Sequence, residues 1–160
     1  MAPSSSPLRL QVRDRVIVVL QAITAGSTYW TTPSLVSKSF IEWAEEPGNV
    51  KYVVYTDVGP GGWDLTGHKM YDEIFHVIVG GAVYDSSDPV SVMEKCIEDV
   101  RLSIVKDATA GGAGSLLAMS STGVVQVRPD GPPVIDAQLA VEGKMFFFQP
   151  FLVHTTWSWT

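Results

Sequence analysis

The sequence predicts an α+β domain: a mainly antiparallel sheet of about five strands, with two helices packed on one face. Three observations point there. A strand-like run from Tyr71 to Tyr84 stops at Asp85-Ser86-Ser87-Asp88-Pro89, and a helix follows at once, with Met93, Ile97, Val100 and Ile104 on one stripe. Asp88 before Pro89 is a strong helix start, because the carboxylate accepts from free N–H groups and proline at N1 has none to lose. Two helices are too few to cover both faces of a sheet.

The elements follow in order. Met1 to Pro7 form a polar, proline-rich tail expected to be mobile. Leu8 to Thr24 reads as a helix, with Val12, Val16, Val19, Leu20 and Ile23 at helical spacing and Gly26 as the left-handed C′ residue. Tyr29 to Pro33 is an extended connector, since a residue before proline avoids helical backbone. Val36 to Trp43 is expected as a first strand, ended by the turn residues Glu45 to Asn49. Val50 to Val58, β-branched and aromatic, is a second strand. Gly59 to His68 is too glycine-rich for a regular element and reads as a long hairpin loop exposing Trp63.

In the third strand, Phe75, Val77, Val79 and Val83 share one face, and Ile74, His76, Ile78, Ala82 and Tyr84 the other. Both are mostly apolar, although a sheet covered on one face should be polar on its open side. A neighbouring subunit or the C-terminal segment is therefore expected there. Gly80-Gly81 signals a bulge or a close backbone approach. The second helix is expected to end near Lys106-Asp107. Beyond it come a small-residue stretch from Ala108 to Gly114, a strand from Val124 to Arg128, a Pro129–Pro133 turn, and a strand from Ile135 to about Val141. Residues 8–142 are read as the folded domain. Residues 143–160, with Phe146, Phe148, Trp157 and Trp159, are read as a β-like extension packed on the domain or on a neighbouring subunit.

Composition narrows the function. Charged residues make up only 18% of the 160 and hydrophobic ones 46%, against about 25% charged on average. Disorder is excluded, and a low-charge surface favours an oligomer. The net charge of −6 argues against a general nucleic-acid binder and suits a surface that DNA slides past. The lone Cys96 excludes a disulfide framework. Val16 to Leu20 is too short to span a membrane, and the N-terminus lacks a signal-peptide pattern, so a soluble, cytosolic chain is expected.

Chemical motifs are weak. His68, His76 and His154 have no metal-binding spacing, and Gly111 to Ser115 lacks the lysine of a phosphate loop. Nothing matches Gly-x-Ser-x-Gly. Asp72, Glu73 and His76 could form an acid–base group, but Asp72 and His76 share a face with Ile74 and Ile78, so a half-exposed interface is the simpler account. No catalytic residue, cofactor or metal is expected. Aromatic residues are enriched at interfaces, and the expected contact residues are Trp63, Leu65, His68, Ile74, His76, Ile78, Tyr84, Phe146, Phe148, Trp157 and Trp159.

The order of these elements resembles the tail terminator family of long-tailed bacteriophages, the minor tail protein U-like proteins. The likeness runs from about Leu8 to Val141. It rests on the N-terminal helix leading through Tyr29-Trp30-Thr31-Thr32-Pro33, the Val36 and Val50–Val58 strands, Tyr71–Tyr84 entering the Asp88-Pro89 helix, then Val124–Arg128 and the Asp130-Gly131 turn. It rests on pattern and has no invariant motif. The resemblance implies a virion structural protein at the tail and neck, assembled in the host cytoplasm. Such a subunit forms a hexameric ring on the last ring of the tail tube, stops its polymerisation and meets the neck or head–tail connector protein, while DNA passes through the lumen without specific binding. It brings no catalytic residues or cofactors. The chain departs from the family in Gly143–Thr160 and in a larger glycine loop at Gly59–Gly67. Another neck, head–tail joining or tail-completion protein is the nearest alternative. From a different class, the alternative is a small hydrolase or ligand-binding domain using His76 and Asp72.

Overall fold

The computed structural model describes residues 7–57, 63–67, 70–110, 115–116 and 124–158, with side chains at all of these but 63–67, 70, 71, 125, 157 and 158. It is a mixed α+β fold around one open sheet. The helices are α1 (Leu8–Gln21), α2 (Phe40–Glu45) and α3 (Pro89–Ala110). The strands are β1 (Leu35–Ser37), β2 (Val50–Asp57), β3 (Trp63–Gly67), β4 (Met70–Tyr84), β5 (Val124–Pro129), β6 (Val134–Asp136) and β7 (Lys144–Ser158). Their spatial order is β1-β2-β4-β7-β5, with β3 also on β4 and β6 also on β7. Among the described strand pairs only β1–β2 is parallel.

The spine is β4 against β7, an antiparallel pair in unbroken register from Met70↔Ser158 to Tyr84↔Lys144. Its inner face carries Phe75, Val77, Val79, Val83, Met145, Phe147, Phe151 and Val153, all buried against α1 and α3. The two helices supply the periodic residues expected of them, including Val12, Val16 and Leu20 from α1 and Met93, Ile97, Val100 and Ile104 from α3. Each fully buried side chain of this size contributes about 1.5–3 kcal/mol relative to exposure. Asp88 caps α3 as expected, its Oδ1 accepting from the Ser91 N–H at 3.1 Å.

Several elements differ from expectation. The predicted Val36–Trp43 strand lasts only to Ser37, because Ser39 caps a helix instead: its hydroxyl accepts from the Glu42 N–H. Ser39-Phe40-Ile41-Glu42 is a capping-box spacing that the apolar alternation concealed. Glu42 spends its own carboxylate on the Ser37 hydroxyl. The helix α1 stops at Gln21 with a right-handed cap at Ala22, and Gly26 has no positive φ. Gly26 donates to the Tyr29 carbonyl in a turn.

Part of the expected glycine loop is strand. β2 ends opposite His76, so the edge of β4 below it is open, and Trp63–Gly67 fills that edge by pairing with Met70–Glu73. Residues 58–62 and 68–69 lie outside the described residues. The predicted Ile135–Val141 strand is only Val134–Asp136, followed by a 3₁₀ turn that Gly143 closes at φ +80°. The segment expected as an appended extension is β7, hydrogen-bonded in the same chain along the whole of β4. Its Pro150 is tolerated because the residue turns toward the gap between β5 and β6, where its carbonyl accepts from the Asp130 N–H. Gly80-Gly81 makes a close approach and no bulge.

No described helix is long and apolar enough to cross a membrane.

Candidate interaction surface

The outer face of the sheet divides in two. Over the end near Tyr84, α2 lies on the strands and builds an aromatic cluster. Trp43 meets Phe146 and Phe148 edge-on at 6.0 and 6.3 Å, Phe40 packs on Tyr55 at 4.9 Å, and the Trp43 indole N–H donates to the Lys51 carbonyl at 3.1 Å. Burial, and then the Asp57 charge, raise the Tyr55 hydroxyl above its ordinary pKa. Between the end of α2 and the sheet lies a cleft of about 400 Å³ that includes Trp43, Tyr84 and Phe146, with Lys51 and Lys144 at its wall.

No described helix lies over the other half. Ile74 is 37% exposed, His76, Ile78, Leu152 and His154 are half-buried, and carboxylates stand beside both imidazoles. His76 Nε2 lies 2.6 Å from Asp130 Oδ2, and His154 Nε2 lies 3.5 Å from Asp72 Oδ2. Thr156 donates to the other oxygen of Asp72. The Asp130 turn is held from beneath. Buried Gln149 donates to the Gly131 and Pro150 carbonyls, and Arg101 on α3 donates to Gln149 Oε1 at 2.9 Å.

A carboxylate beside an imidazole can hold the ring in one orientation. Among the described residues, no hydroxyl or thiol bonds to either imidazole, and no group of three His, Cys, Asp or Glu is placed to hold a metal. Cys96 is buried within α3, and burial raises its thiol above the ordinary value. Apolar side chains here lie between short polar ties.

The structure places five of the expected contact residues in two separate groups. Ile74, His76 and Ile78 share the open half, and Phe146 and Phe148 lie under α2 in the same chain. Tyr84, 45% exposed, stands at the end of β4 beside the cleft. The backbones of Trp63 and Leu65 lie in β3 and that of Trp157 in β7 opposite Tyr71, while their side chains, and all of His68 and Trp159, are outside the described residues.

A second surface was missed. From β6 through the 3₁₀ turn, Val134 is 67% exposed, Ile135 44%, Leu139 38% and Val141 100%. Their signal was a run of apolar residues beside Pro132-Pro133, which pattern alone reads as a core strand.

Comparison of the sequence with models of known protein families and with curated proteins finds no match.

Proposed function

We propose that this chain is a structural subunit that assembles with copies of itself into a ring, as a tail terminator of a long-tailed phage. In this role it caps the tail tube, stops its polymerisation and joins the tail to the neck or head–tail connector. The observation that carries the reading is the apolar surface from Val134 to Val141, which a monomer leaves in water. The half-covered outer face adds to it, with Ile74 open beside His76 and Ile78, and Tyr84 exposed at the far end of β4. The resemblance in element order supplies the specific role: a helix, a sheet with a long strand, and a second helix started by Asp88-Pro89.

In the ring, which the resemblance makes a hexamer, DNA passes through the lumen of an acidic protein without sticking. The deciding experiment is light scattering and electron microscopy of the purified protein, alone and mixed with tail tubes. Closed rings, free or on tube ends, are expected, and tails assembled without the protein should lengthen without control. A monomer in both settings, with tails of normal length in its absence, overturns the reading.

A further inference from the structure

The two short edge strands, β1 and β6, lie at opposite ends of a single row across the sheet. Following the registers, Val36 stands opposite Tyr52, Tyr52 opposite Gly81, Gly81 opposite Phe147, and Phe147 opposite Ile135. The flanking rows run Leu35–Lys51–Ala82–Phe146–Asp136 and Ser37–Val53–Gly80–Phe148–Val134 in the same way. Both edges are thus three residues long and sit at the same level.

Their hydrogen-bonding groups also match. The N–H and C=O of a strand residue turn to the same neighbour, and successive residues alternate sides. Asp85 donates to the Gly143 carbonyl and Tyr84 to that of Asn49, so odd residues of β4 turn toward β7 and even ones toward β2. Phe146 and Phe148 therefore turn toward β6 and engage Asp136 and Val134, which agrees with the Asp130-to-Pro150 bond on that side. Ile135 between them turns its N–H and C=O to the free edge. On β2, Asn49 turns toward β4, so Tyr52 turns toward β1 and lies between Leu35 and Ser37. Val36 is left turned outward.

Direction and face agree as well. β2, β4, β7 and β6 alternate in sense, and β1 is parallel to β2, so β6 runs opposite to β1. Ile135 and Val36 both belong to the inner face, in line with buried Tyr52 and Phe147. Beside β1 a cleft of about 300 Å³ opens between α1 and α2, lined by Asp14, Ile17, Val36, Ser37, Lys38 and Glu42.

We infer that β6 of one copy adds as an antiparallel strand to the β1 edge of the next, with Ile135 opposite Val36, so that the sheets of successive subunits join head to tail. Ile135 then enters the cleft beneath Ile17, and the exposed Val134, Leu139 and Val141 follow it into the contact. Because donor edge and acceptor edge are different surfaces, the contact is heterologous, the kind that closes into rings. This rests on the ring-forming reading above and supplies its interface.

The test is a cross-link. Leu35 and Asp136 would form a non-hydrogen-bonded pair across the contact, about 4.5 Å between α-carbons, inside the disulfide range of about 4.4–6.8 Å. Within one chain they are four strand spacings apart, roughly 19 Å. The double variant Leu35→Cys/Asp136→Cys, oxidised alone and on tail tubes, should give a ladder of covalent multimers ending at the ring number. Either single variant should stay monomeric on the same non-reducing gel. Ile135→Pro, which removes an outward N–H and spares the bonds to β7, should cut ring formation at least tenfold with the unfolding midpoint unchanged.

Rings that form but stay unlinked in the double variant, or that Ile135→Pro leaves intact, overturn the edge pairing while the ring reading stands. No ring and no ladder in either setting overturns both.

Discussion

Gly81 and Phe147 face each other across the central β4–β7 pair so closely that a β-carbon on Gly81 would stand 2.1 Å from Phe147 Cε1. The Phe147 ring lies over the glycine and meets Tyr52 of the next strand at 6.3 Å between centroids. The glycine is needed for space, since its φ is unremarkable. Gly81→Ala should therefore force a buried ring off its rotamer and destabilise the fold by about 1–3 kcal/mol, the usual range for overpacking. Chemical denaturation measures this. A variant as stable as the parent would show that the row can relax.

Asp99 is 1% exposed on α3, and its carboxylate accepts from the Trp30 and Thr31 N–H groups and the Thr31 hydroxyl at 2.7–3.1 Å. It ties the 29–33 connector to the helix. Asp99→Ala leaves those donors without an acceptor in a closed site, and a loss of about 3 kcal/mol is expected. Denaturant midpoints of the variant and the parent check it.

The Tyr52 hydroxyl is enclosed beside the Cys96 thiol and the Thr31 hydroxyl, with no hydrogen bond of full geometry to any described residue. Burial first, and then the neighbouring Cys96 thiol, hold it well above the ordinary tyrosine pKa, so it stays a neutral phenol. Tyr52→Phe removes only that oxygen. Stability should be unchanged or rise by up to about 1 kcal/mol, and a clear loss in a thermal melt would reveal a hidden partner.

Asp85 and Asp88 both have lowered pKa values. The Asp88 and Ser87 backbone N–H groups bond to Asp85, and the Ser91 hydroxyl and N–H bond to Asp88. A carboxyl with a folded pKa below its unfolded one, about 3.9, stabilises fully above that value and loses the contribution as pH falls through the folded pKa. The start of α3 should therefore loosen below about pH 4. In melts between pH 5 and 2, the combined Asp85→Asn/Asp88→Asn variant should start lower and fall less steeply than the parent.

The residue order by itself determined the α+β class, α3 with its Asp88 cap, the two faces of β4 and the buried stripe of α1. Each is written in neighbouring residues: a period, a cap or a proline within a few positions. Tertiary structure alone decided the rest. Phe40–Glu45 carries the alternation of a strand, yet the Ser39 cap and the aromatic side chains of the sheet beneath draw it into a helix. Lys144–Ser158 is an apolar segment on any reading, and only the exposed length of β4 makes it the central strand. Asp99 and Gln149 look like surface residues until the partners that satisfy them arrive from distant parts of the chain. The alignment of Val36 with Ile135 lies furthest from sequence, because it is the product of four successive registers, each set by packing between strands.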